Sequence, residues 1–84
     1  MPAKAKKYTS YTVLAMRYGT LQDRNWQQSG IYPTYQAEVV YRGQSERLAS
    51  WHFTRACRAQ AHDPLAHSVT LKRDHEVLAE VRPL

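Results

Sequence analysis

The chain is short of several things, and each shortage excludes a class of protein. It has one cysteine, Cys57, in 84 residues, so neither an internal disulfide nor a zinc site built on several thiolates can form. No stretch approaches the eighteen or so consecutive apolar residues that a membrane span requires, and a soluble chain is expected. Only three glycines are present; there is no glycine-rich phosphate loop, no nucleophile elbow and no paired-carboxylate motif. A hydrophobic core at this length is already small, so a single domain is expected. No internal repeat is visible.

What the chain does have is unevenly distributed. All nine aromatic residues lie between Tyr8 and Phe53, and nine of the twelve lysines and arginines fall at or before Arg58. Residues 1–58 set these nine cations against Asp23, Glu38 and Glu46, a balance of about +6, while residues 59–84 come to about −1. Cations interleaved with aromatic rings suit nucleic acid, because phosphates attract the former and bases stack on the latter. Residues 1–7, with Lys4, Lys6 and Lys7, read as a short flexible basic arm ahead of one domain at 8–84. No long apolar run follows the arm, so it does not read as a secretory signal. With a single thiol, a cytoplasmic setting is expected.

Residues 11–18 are rich in β-favouring side chains and stop at Gly19, which predicts a first strand. Thr12, Leu14, Met16 and Tyr18 should point one way, and Tyr11, Val13, Ala15 and Arg17 the other. Residues 19–31 are amide-rich with glycine at both ends and predict a long loop. Residues 34–42 alternate, with Tyr35, Ala37, Val39 and Tyr41 on the apolar side of a half-buried strand. On that alternation Tyr18, Tyr35 and Tyr41 are expected in the core.

Ser45 is placed to cap a helix that runs to about Ala61 and is closed by Asp63-Pro64. With Arg47 at 0°, Leu48, Ala49, His52, Phe53, Ala56, Cys57, Ala59 and Gln60 occupy an arc from about 100° to 280°, the expected buried face. Residues 68–72 and 77–81 alternate as a hairpin. The order β-β-α-β-β predicts an α+β fold: a small antiparallel sheet with one amphipathic helix packed on one face, the other face open. Either sheet edge offers a route to a homodimer.

The outward helical arc carries the strongest candidate site. Arg47, Trp51 and Arg55 are spaced four apart, so each guanidinium can approach the indole, and Arg58 extends the stripe. Arg24 and Trp26 in the long loop, Arg42 on the second strand, and Lys6 and Lys7 on the arm complete the candidate binding surface. Cys57, His62 and His67 lack the paired spacing of a structural zinc site, so no metal and no cofactor is expected. Gly30-Ile31-Tyr32 and Tyr41-Arg42-Gly43 resemble the paired tripeptides of GIY-YIG nucleases only superficially, since arginine fills the centre of the second. The expectation is a non-enzymatic basic binding module that contacts nucleic acid or a nucleic-acid-handling complex. The alternative is a protein–protein inhibitor or adaptor, of the kind phages and mobile elements encode to block a host enzyme complex, meeting an acidic protein surface.

Overall fold

The computed structural model describes residues 9–82, and the arm expected at 1–7 lies outside them. Strand β1 (Tyr11–Tyr18) is followed by two single-turn helices, α1 (Leu21–Arg24) and α2 (Trp26–Ser29), and by β2 (Tyr35–Gly43). Helix α3 (Glu46–Gln60) then leads to the hairpin of β3 (Ala66–Arg73) and β4 (Glu76–Val81). The strands form one antiparallel sheet in the order β2-β1-β3-β4 with α3 packed on one face, an α+β fold. None of the helices among the described residues is long and apolar enough to cross a membrane.

The 19–31 segment is helical where a loop was expected. Local capping explains the difference: the Thr20 hydroxyl accepts the Asp23 N–H at 3.1 Å, and Gly30 closes α2 at φ 77°, a conformation that favours glycine. Neither turn has an apolar periodicity to announce it.

Strand β1 alternates as its sequence requires. Val13 lies opposite Tyr41 and Leu71, and Ala15 opposite Glu38 and Val69, all on the side that α3 covers. Val13, Val69 and Ala49 are fully buried, with Tyr11 beside them, and Phe53, Ala56, Cys57 and Val40 pack around this centre. Ala49 has no side chain beyond Cβ, which lets the helix come down onto the valines. The helix starts where expected, with the Ser45 hydroxyl accepting the Leu48 N–H at 3.1 Å.

A bulge on β2 changes which side chains are inside. Val13 pairs with Tyr41 and Leu14 with Val39, so Val40 is the additional residue. Tyr41 therefore turns toward α3 while Tyr35, Ala37 and Val39 turn to the open face. Tyr18 and Tyr35, expected in the core, instead form an open-face cluster with His67, ring centroids 4.8–5.3 Å apart. Every residue from Tyr35 to Val39 is exposed. The helix is the second correction: Leu48, at the margin of the predicted arc, is 49% exposed, and Ala59 is exposed as well. Both lie on the flank that looks toward β2, whose outer half α3 leaves uncovered.

The hairpin is longer than its alternation suggested, with only Asp74 and His75 between the strands. Asp74 takes a left-handed conformation (φ 54°) that aspartate tolerates better than most residues. It exchanges two hydrogen bonds with Ser10: the Ser10 N–H donates to its carboxylate at 3.0 Å, and its own N–H donates to the Ser10 carbonyl at 2.7 Å. The start of the central strand is thereby tied to the β3–β4 turn.

Because the core is so small, its central residues should dominate stability. Val69→Ala is expected to lower the unfolding free energy by about 2 kcal/mol. Val77→Ala, on an exposed side chain, should change it by less than about 0.5 kcal/mol. Urea denaturation of both variants at one protein concentration measures the contrast.

Candidate binding surface

Helix α3 presents Arg47, Trp51, Arg55 and Arg58 to solvent along one strip. Trp51 is 53% exposed, and the Arg55 guanidinium carbon stands 5.2 Å from its ring centroid. This cation–π contact is worth about 0.5–1 kcal/mol at an exposed site. Of the two arginines expected to flank the indole, Arg55 makes the contact.

The indole is supported from beneath. His52 meets it edge-on, with centroids 4.8 Å apart and an interplanar angle of 89°. His52 in turn stacks on Tyr41 at 5.0 Å and 17°, and the Tyr41 hydroxyl accepts the Ser45 N–H at 3.3 Å. A continuous series, Arg55, Trp51, His52, Tyr41, thus runs from solvent to the sheet, and through the Tyr41 hydroxyl it reaches the backbone of Ser45, the residue that caps the helix. Gly43 leaves room for it: a Cβ there would fall 2.5 Å from the Tyr41 hydroxyl oxygen and 2.9 Å from its ring. His52 and Tyr41 were expected on the buried sides of the helix and of the second strand, not beside Trp51. Their stacking joins residues eleven apart on different elements, and no spacing rule reports it.

The other candidates lie elsewhere. Arg42 pairs with Thr12 and therefore points to the open face, opposite α3. Arg24 donates to the Pro64 carbonyl, and Trp26 is half-buried, stacked on Tyr32 at 6.1 Å and 22°. Lys6 and Lys7 lie outside the described residues. Of the seven candidates among the described residues, the four on α3 share one surface, and Arg42, Arg24 and Trp26 lie elsewhere.

Charge is distributed to the same effect. Arg17 forms a two-pronged pair with Asp63 at 3.0 and 3.2 Å, Arg73 meets Glu76 at 2.9 Å, and Arg82 meets Glu80 at 3.5 Å. Among the described residues, no carboxylate lies within ion-pair distance of Arg47, Arg55 or Arg58, or of Arg42 and Lys72 on the open face. The paired cations belong to the scaffold, while those on the strip face solvent uncompensated.

A groove of about 760 Å³ separates α3 from β2, lined by Gln36, Glu38 and Val40 on one side and His52, Arg55 and Ala59 on the other. The Arg17–Asp63 pair borders it beside the helix C-terminus. Hydrogen bonds from Arg17 and from the Leu65 N–H hold the Asp63 carboxyl below the usual carboxylate range, and the same Asp63 contact raises Arg17. Burial pushes the Cys57 thiol up, away from the thiolate that nucleophilic or ligand chemistry needs. His67 sits in the open-face aromatic cluster while Cys57 faces the sheet from α3. Among the described residues, no group of three His, Cys, Asp or Glu side chains is placed to hold a metal ion.

Comparison of the chain with protein-family models, with curated proteins and with solved structures found no match.

The Asp63 carboxyl makes a prediction about pH. A carboxyl lowered by folding contributes stability above its unfolded value of about 4 and loses it as pH falls through the lower folded value. Asp63→Asn should therefore melt below the parent protein at neutral pH. The gap should close as the pH is taken from about 4 toward 2, which thermal melts across that range would record.

Proposed function

We propose that this chain is a non-enzymatic binding module that contacts nucleic acid through the outer face of α3. The observation that carries the reading is the exposed Trp51 with Arg55 over its ring, in line with Arg47 and Arg58 and unopposed by any described carboxylate. Guanidinium groups neutralise phosphates and release counterions, and the exposed indole, set at right angles to His52, offers a ring on which a base can stack. The net charge of +5 favours encounter with a polyanion. Nothing in the strip reads base edges, so the binding is expected to tolerate sequence. The lone half-buried thiol requires no oxidising compartment, and we place the module in the cytoplasm on that ground.

A second reading, a protein–protein inhibitor or adaptor of the kind encoded by phages and mobile elements, draws on a different observation. Large apolar side chains are exposed on the segment between β1 and β2, with Leu21 at 59%, Ile31 at 67% and Tyr32 at 85%. Exposed apolar clusters of this kind mark protein contact more than nucleic-acid contact.

Fluorescence anisotropy with short single-stranded DNA and RNA tests the first reading. Binding should weaken steeply with salt, and Arg58→Ala should reduce the slope of log affinity against log salt by about 0.7–1. Absence of binding at low salt rejects it. For the second reading, a defined protein partner once identified should bind Trp51→Ala as well as the parent and lose affinity for Ile31→Ser/Tyr32→Ser. The nucleic-acid reading expects the reverse, with Trp51→Ala weakening anisotropy binding and leaving the circular dichroism spectrum unchanged.

A further inference from the structure

We infer that the outer edge of β2 pairs with the same edge of a second copy of the chain, antiparallel and centred on Ala37. The two sheet edges are built differently. Strand β4 is six residues long, and a short edge strand discourages pairing. Strand β2 is nine residues long, contains neither proline nor lysine, and is exposed at every position from Tyr35 to Val39. An edge strand presents a row of backbone donors and acceptors that β1 does not use. Among the described residues the helix stops short of it, and the groove between α3 and β2 leaves the approach clear.

The side chains select one register. Centring the pair on Ala37 places Tyr35 opposite Val39 of the second copy on the open face, twice by symmetry, with the two Ala37 side chains between them. Tyr35 and Val39 are 41% and 47% exposed in the single chain, and aromatic with β-branched residues is a favourable cross-strand combination. On the face that α3 occupies, Gln36 meets Glu38 of the second copy, an amide opposite a carboxylate that has no ion pair among the described residues. Centring on Glu38 would instead oppose two carboxylates, which is unfavourable. Centring on Val39 would run the pairing into the Val40 bulge. The Ala37 register ends cleanly, at the bulge on one side and next to Pro33 on the other.

The resulting two-fold axis is perpendicular to the sheet, so an eight-stranded sheet carries both α3 helices on one face. The two Arg/Trp strips then share a surface. The inference does not depend on what those strips bind. Five residue pairs cover only about 17 Å of strand, so the dimer is expected to dissociate on dilution.

Sedimentation equilibrium of the full chain without nucleic acid, over a dilution series reaching about 1 mM, tests it. The parent protein should approach twice the 9.7 kDa chain mass at high concentration. Ala37→Lys, which sets two ammonium groups against each other at the axis, should remain at the single-chain mass. Glu80→Lys on the β4 edge and Thr70→Lys in the middle of the open face should dimerise like the parent. A parent protein that stays single across the series overturns the proposal. So does loss of dimer in either control variant, because the contact would then be the other edge or a face-to-face stack. Should Ala37→Lys fail to fold by circular dichroism, Tyr35→Lys and Val39→Glu each weaken the dimer and their combination restores it. A double variant no stronger than the singles excludes the register.

Discussion

Water is fully excluded where Val13 and Val69 meet Ala49, and the position of everything else follows from that contact. The central strand supplies one valine, its neighbour β3 the other, and the helix reaches them only because its residue there is an alanine. A bulkier side chain would lift α3 off the sheet and expose the few buried groups this chain possesses. With so little apolar surface enclosed, the fold leans on polar fastenings at its margins: the Ser45 cap, the Ser10–Asp74 exchange and the Arg17–Asp63 pair.

The same contact decides which surfaces remain free. A helix resting over Val13 and Val69 leaves the outer half of β2 uncovered, and none of the described helices packs on the other face of the sheet. The strip of α3 carrying Arg47, Trp51, Arg55 and Arg58 points away from the sheet because Ala49, Phe53 and Ala56 point into it. Trp51 is steadied through His52 and Tyr41, so a partner meeting the indole would find it already oriented and would order little on binding.

The cations divide by role in a way that their number conceals. Arg17, Arg73 and Arg82 are neutralised by nearby carboxylates, and Arg24 closes onto a backbone carbonyl. Those on α3 have no such partner among the described residues. Arg73–Glu76 and Arg82–Glu80 are exposed and local to the hairpin and add little to stability; the two-pronged Arg17–Asp63 pair joins segments 46 residues apart, and the unpaired arginines leave a positive potential on the helix face.

The order of the four strands and α3, the two faces of β1, the Ser45 cap and the outward stripe of α3 were legible in the sequence, because each depends on spacing within a single strand or helix, whereas α1 and α2, one turn each, have no such periodicity. Tyr35 shows where that reasoning stops. Its alternation with Ala37, Val39 and Tyr41 is clean, yet the Val40 bulge arises from pairing with β1, and it turns Tyr41 inward and Tyr35 outward. Leu48 shows the same limit on the helix, since the width of the buried arc depends on how far β2 extends beneath it. Arg42 and Trp51 both belong to the basic, aromatic part of the chain and end on opposite faces. Composition and local periodicity thus determined which elements form and which residues could make contacts. Register and helix placement, set by distant segments competing for one small buried centre, decided which of those residues share a surface.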